Sequence, residues 1–200
     1  MKIIGLTGPS GAGKGTAADL LAAYGVPHID CDSIYHSLLT SGSDCTKALT
    51  AEFGMQILSC DGSVDRKKLS SLVFSGEGHE ERLDRLNKIT HNYVLQECRR
   101  LIEIHKQDGK RAVTVDAPTL FESGFDKECD IILVVSAPYS SRLDRITRRD
   151  GINQEKAIER LSAQKDDEFY ISRADFVIEN SSDLEKLKSQ LEKFIREKLS

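Results

Sequence analysis

The stretch GLTGPSGAGKGT at residues 5–16 constrains this chain most, because it lies between a strand-like run and a helix-patterned one. KIIGLT (2–7) is short, apolar and rich in Ile, the mark of a buried strand. KGTAADLLAAY then spaces Ala17, Leu20, Leu21 and Tyr24 along one helical face, with Gly25 placed as a left-handed stop. A second strand, VPHIDC (26–31), follows at once and completes a compact βαβ unit. Three more strand-like runs come later, RAVTVD (111–116), DIILVV (130–135) and ADFVIE (174–179), each bounded by turn residues or charges. The expected fold class is therefore α/β, with a five-stranded parallel sheet flanked by helices. The closing segment SSDLEKLKSQLEKFIREKL reads as a covering helix. Ser182 and Glu185 stand at capping-box spacing, and Leu184, Leu187, Leu191, Phe194 and Ile195 form its apolar face.

Two segments interrupt the alternation. From about 33 to 109 no good central strand occurs, and HEERLDRLNKITHNYVLQECRRLIEIHKQ runs without Pro or Gly at helical spacing, so this part is expected to be a helical insertion. From about 137 to 172 the chain is densely charged and weakly apolar, which reads as one or two mobile helices forming a lid. The expected organisation is a nucleotide-binding core over 1–32, 110–136 and 173–200, a substrate-binding insertion over 33–109, and a lid over 137–172.

Composition excludes several classes. A chain of 200 residues, 39% hydrophobic and 30% charged, is ordinary for one globular unit that carries an inserted subdomain. No apolar run approaches the roughly 20 residues of a membrane helix, and the first residues enter a strand without a signal-peptide core, so no membrane partner is expected and the cytoplasm is the expected compartment. Cysteines 31, 45, 60, 98 and 129 are scattered without a CxxC pair, which argues against a disulfide framework or zinc site and for plain buried or half-buried thiols. A net charge of −4 speaks against nucleic acid as a partner, while a small phosphorylated ligand needs only a local positive cluster. The sequence leaves the oligomeric state open, a monomer included.

Gly8, four intervening residues, Gly13 and Lys14 meet most of the phosphate-loop (P-loop) pattern between a strand and a helix. Glycines let the backbone curl so that successive N–H groups face phosphate oxygens, and Lys14 and the helix N-terminus add positive charge. The blander reading, a glycine turn joining strand to helix, leaves the lysine unexplained. One departure concerns metal binding. Gly15 stands where a Ser or Thr commonly gives a hydroxyl to Mg²⁺, and Thr16 comes one place later. Either phosphate oxygens and water hold most of the Mg²⁺ shell, or Thr16 touches an α-phosphate while the metal leans on carboxylates elsewhere.

Asp32 lies just past the second strand, where a carboxylate can accept the proton of an attacking alcohol or hold Mg²⁺. An acceptor that is itself a phosphate would call for positive charge there instead. The plainer alternative makes Asp32 or Ser33 the N-terminal cap of SIYHSLL. Asp116 ends the third strand and resembles the carboxylate that organises Mg²⁺ and its waters in phosphate-loop enzymes, against a plain solvated strand end. Glu122, in APTLFE, offers a second carboxylate near the same edge. In the lid, Arg142, Arg145 and Arg149 fall on one helical face suited to grip a triphosphate, although Asp144 and Asp150 are at hand to pair with them.

Taken together these residues resemble the dephospho-coenzyme A kinase family, and the resemblance spans essentially the whole chain. It rests on the phosphate loop, HIDCDSIYHSL, FGMQILSCDGSVDRKKLSSLVF, LNKITHNYV, VDAPTLFESG, RLDRITRRDGI with RLSAQ, and ADFVIEN. It implies a P-loop kinase that uses ATP and Mg²⁺ to phosphorylate the ribose 3′-hydroxyl of dephospho-CoA, the last step of coenzyme A synthesis. By position it implies that Gly11, Ala12, Gly13, Lys14, Gly15 and Thr16 bind the ATP phosphates and that Asp32 is the general base. Arg145 and Arg149 match the lid arginines, Arg66 and His91 help hold dephospho-CoA with Asp116 and Glu122 nearby, and Asn180 belongs to the loop that meets adenine. Thr16 and Asp116 are the expected metal contacts. The chain departs from the family pattern at Gly15, at Asn92 where Pro is usual after the histidine, and at Ser181 where Gly is usual.

Two alternatives compete. GPSGAGKGT also looks like the loop of cytidylate kinases, whose other motifs do not follow. A nucleotide-operated switch is the other, but NKIT (87–90) departs from the guanine-reading NKxD at Thr90 and sits in a helix-patterned run.

Overall fold

A computed structural model describes residues 1–181 and 183–199. In chain order the elements are β1 (Lys2–Thr7), α1 (Lys14–Ala23), β2 (His28–Asp30), α2 (Cys31–Leu38), α3 (Asp44–Phe53), α4 (Arg66–Phe74), α5 (His79–Gln107), β3 (Ala112–Asp116), β4 (Ile131–Ser136), α6 (Tyr139–Asp150), α7 (Gln154–Ser162), α8 (Asp167–Ile171), β5 (Phe176–Glu179) and α9 (Leu184–Lys198). The chain divides into two compact units, Met1–Asp30 with Ile102–Ser200, and Cys31–Leu101.

In the first unit the strands form one parallel sheet in the order β2-β3-β1-β4-β5. All five expected strands are present within two residues of their expected bounds. Strand β1 is central, and its side chains Ile4 and Leu6 are fully buried. The main core joins them to Ala17, Ala18 and Leu21 of α1, Leu133 and Val135 of β4, and Leu187, Leu191 and Phe194 of α9. The connection from β1 runs to β2 on the β3 side, whereas β4 and β5 are added on the other side, so the strand order reverses at β1, the place where ligands bind at the carboxyl edge of such sheets. The phosphate loop starts there.

Two details of the covering helices differ from expectation. Tyr24, expected on the apolar face of α1, is 37% exposed, and its hydroxyl donates to Glu192 at 2.7 Å. Ser182 lies outside the described residues, and Asp183 caps α9 by accepting from the Glu185 and Lys186 amides. Leu184 is half exposed, because the first residue after that cap turns away from the seam made by Leu187, Leu191 and Phe194.

The lid segment forms three helices rather than one or two, α6, α7 and α8. The first two pack through Ile146, Ala157 and Leu161, and Gly151 makes the turn between them. Gly151 takes the left-handed conformation at φ 61°.

The second unit has its own core, built from Leu39, Cys45, Leu49, Phe53, Ile57, Val64, Leu69 and Val73 and covered by Leu83, Leu86, Ile89 and Tyr93 of α5. The helix α5 runs unbroken from His79 to Gln107 as the sequence pattern requires, so Asn92 introduces no helix start. NKIT lies within it. Burial raises the Cys45 thiol to about 11, which keeps it protonated and inert. Cys31 and Cys98 are also buried, with their sulfurs 3.5 Å apart. Cys60 departs from the expected burial and is exposed.

Candidate active site

The loop from Gly8 to Gly13 is shaped by its backbone and then gripped by side chains from distant parts of the first unit. Its tip is a tight turn in which the Ala12 amide donates to the Pro9 carbonyl at 3.2 Å. Gly13 is the N-cap residue of α1 at φ 98°, a conformation that side-chain-bearing residues rarely adopt. A Cβ there would overlap the Asn180 amide nitrogen. No side chain caps α1, which leaves the amides of its first turn pointing out of the helix end. Lys14 Nζ lies 3.0 Å from the Gly8 carbonyl, so the ammonium curls back over the loop. Gly15 and Thr16 are exposed on the first turn.

Asn180 follows β5 and is 8% exposed. Its Nδ2 donates to the Ala12 carbonyl at 2.8 Å, while its backbone amide donates to Ser136 at 2.8 Å. Arg145 completes the brace. Its Nη1 donates to Gly11 and Ala12 carbonyls at 3.0 and 3.1 Å, and its Nη2 to the Asn180 carbonyl at 3.1 Å. Those carbonyls lie behind the turn, and two guanidinium nitrogens satisfy them at once, which pins the peptide planes. Asn180→Ala is therefore expected to cost about 0.5–1.5 kcal/mol of stability, because the Ala12 carbonyl loses one of its two donors and keeps Arg145, and to weaken ATP binding. A thermal melt together with ATP titration checks this.

Asp116 is half-buried at the carboxyl end of β3, where the register sets it against Leu6 of β1 and Asp30 of β2. Its carboxylate thus emerges one residue before the point where β1 runs into the loop. Glu122 is exposed beyond it, close enough to help raise the Tyr170 hydroxyl above its ordinary value, after the larger effect of burial.

The two other lid arginines do different jobs from Arg145. Arg142 is 8% exposed, donates to Asp167 at 2.9 Å, and sits with its backbone against Gly11, where an added Cβ would lie 2.8 Å from the Arg142 carbonyl oxygen. Arg149 is exposed and pairs with Asp150, whose carboxyl is held below its usual range first by that hydrogen bond. The one-face reading of three equivalent arginines is thus corrected: burial on α8 and contact with the loop remove Arg142 from the surface.

In the second unit Asp32 is exposed in the first turn of α2, which begins at Cys31, so it is a helix-start carboxylate as well as a candidate base. Arg66 opens α4 behind the Asp65 cap, and its Nη1 lies 3.3 Å from His36 Nδ1 on α2. His91 is half-buried midway along α5.

Among the described residues no cluster of three His, Cys, Asp or Glu side chains gathers to hold a metal. Mg²⁺ prefers hard oxygen donors and keeps much of its shell as water and phosphate, binding through only one or two protein oxygens. The Thr16 hydroxyl and the half-buried Asp116 carboxylate are donors of that kind.

The family model for dephospho-CoA kinase matches residues 2–186. The chain belongs to the dephospho-CoA kinase family. A dephospho-CoA kinase of Dehalococcoides mccartyi is 38% identical over 199 residues, covering 100% of this chain and 98% of that one. The dephospho-CoA kinase of Fusobacterium nucleatum is 41% identical over 192 residues, 96% of each chain. Among solved structures, the dephospho-CoA kinase of Campylobacter jejuni is 27% identical with a TM-score of 0.71, covering 98% of this chain and 96% of the other. Shikimate kinase from Acinetobacter baumannii, at 18% identity and a TM-score of 0.55, shares the P-loop kinase fold.

For two residues of this kinase, Asn180 and Gln164, the sequence does not name the partner. Asn180 was assigned to an adenine loop, yet its side chain is spent on the phosphate loop. Gln164 ends RLSAQ, and its side chain meets the Ser10 amide. The spacing of neither residue names a partner more than 150 residues away in the chain.

Proposed function

We infer that this chain transfers the γ-phosphoryl group of ATP to the ribose 3′-hydroxyl of dephospho-CoA, giving coenzyme A and ADP. The observation that carries the reading is the family match over residues 2–186, joined to a glycine loop that opens onto an uncapped helix N-terminus beside Lys14.

Residues 11–16 bind the ATP phosphates through the backbone N–H groups of the loop and first turn other than that of Ala12, which donates to Pro9, and Lys14 adds charge at the β and γ positions. A bound Mg²⁺, held in part by Thr16 and Asp116, would neutralise charge on the β and γ phosphates. The Asp32 carboxylate orients the 3′-hydroxyl and accepts its proton as the oxygen attacks the γ-phosphorus, the new O–P bond forms, and the bond from that phosphorus to the β,γ-bridging oxygen breaks. ADP leaves with the electron pair. The unit Cys31–Leu101 takes dephospho-CoA with help from Arg66 and His91, Glu122 borders the acceptor, and Arg149 on the lid offsets charge on the transferring group. Arg145 and Asn180 support ATP binding by holding the loop in shape.

ADP production measured with dephospho-CoA, with cytidylate and with no acceptor tests the reading. Turnover that depends on dephospho-CoA and yields coenzyme A by mass is expected. Cytidylate-dependent turnover, or slow hydrolysis indifferent to acceptor, overturns it.

A further inference from the structure

The lid meets the phosphate loop at one more point, which the roles above leave unused. The turn Pro9–Ala12 spends the Ala12 amide internally, whereas the Ser10 amide points out of the turn and donates to Gln164 Oε1 at 2.8 Å. Gln164 lies two residues beyond α7. Its backbone amide donates to Leu161 at 3.2 Å and its Nε2 to the Arg160 carbonyl at 3.2 Å, so the side-chain amide is held from both ends. Because Ser10 N–H can only donate, the network leaves one orientation for that amide.

The path continues through the helix pair. Arg160 Nη1 donates to Asp150 Oδ2 at 2.7 Å, and Asp150 Oδ1 accepts from Arg149 Nε at 2.8 Å. Asp150 thus ties the end of α6 to α7, beside the apolar contact of Ile146 with Ala157 and Leu161. Gln164 and Arg149 are thus joined through one packed, cross-linked pair of helices.

We propose that Gln164 is a positioning residue: its amide clamps the lid to the tip of the phosphate loop through Ser10 N–H and thereby sets where Arg149 lies during phosphoryl transfer. The clamp acts on the lid's seating, so it bears on kcat and on exclusion of water rather than on the acceptor's KM. The link from clamp to catalysis rests on the proposed kinase reaction; the clamp itself does not.

Two variants test it. Gln164→Met keeps the length and loses both the acceptor and the Nε2 donor, whereas Gln164→Glu keeps an oxygen for Ser10 N–H and loses the donor alone. In the full chain without added nucleotide, amide hydrogen exchange over residues 139–163 is expected to quicken by about fivefold in Gln164→Met, the size of the lost hydrogen bond to Ser10, and by less in Gln164→Glu, which keeps that bond. Unchanged exchange in Gln164→Met overturns the clamp whatever the reaction. With ATP and dephospho-CoA, Gln164→Met is expected to lose about tenfold in kcat with KM for dephospho-CoA within about twofold, and to release more ADP than coenzyme A. Gln164→Glu is expected to restore the one-to-one yield. Faster exchange with wild-type kcat and one-to-one yield overturns the link to Arg149, as does a KM change equal to the loss in kcat. A wild-type protein that forms no coenzyme A overturns the reaction reading instead.

Discussion

Asp32→Asn is expected to lower kcat by about a thousandfold, the middle of the range for loss of a positioned general base, with ATP affinity nearly unchanged. The amide keeps the shape of the carboxylate and can still touch a hydroxyl, but it cannot take the proton as the O–P bond forms. Magnitude separates this role from the other that its position allows. Asp32 sits in the first turn of α2, where a negative charge interacts with the helix dipole. That interaction is worth about 0.3–1 kcal/mol and bears on stability. A thousandfold loss of rate corresponds to about 4 kcal/mol of transition-state stabilisation. Single-turnover rates and a thermal melt on the same variant therefore give distinct answers. A variant that melts a few degrees lower and turns over normally would leave Asp32 a helix-start residue and nothing more.

Lys14→Met is the second large effect, with kcat/KM for ATP expected to drop by about 10²–10³, as for removal of one preorganised charge donor. Methionine fills much the same volume, and the hydrogen bond lost to the Gly8 carbonyl is worth about 1.5–3 kcal/mol, within the roughly 5–15 kcal/mol that holds a typical domain folded, so the fold should survive. Calorimetric titration of ATP and a pre-steady-state rate divide the loss between binding and transfer. Lys14→Arg is expected to rescue poorly. The planar guanidinium is longer and cannot curl onto Gly8 as the compact ammonium does. Equal activity in Lys14→Met and the parent would remove the lysine from the mechanism.

Much of the architecture was readable from spacing alone. The five strands are short β-branched runs cut off by charges or turns, and α5 is a long stretch with neither Pro nor Gly, so local preference and burial agree over those elements. The phosphate loop was readable for the same reason, since glycine is needed where φ turns positive at Gly13 and where the backbone of Arg142 crowds Gly11. Spacing misleads where tertiary partners decide. Leu184 has the right period for an apolar face, but the cap at Asp183 turns it outward. Three arginines share one helical face by spacing, yet Arg142 is drawn to Asp167, Arg145 to the back of the loop, and Arg149 to Asp150.

Read as a string, the residues were enough for a parallel sheet, a phosphate-binding turn behind its first strand and a carboxylate after its second, because each follows from a few neighbouring positions. Folding alone settled how that turn is held. Asn180, Arg145 and Gln164 grip the segment from Ser10 to Ala12 across sequence gaps of 133 to 168 residues. A polar side chain has several possible partners in the chain, and which one it meets depends on the strand order that carries β5 and the lid helices back beside β1.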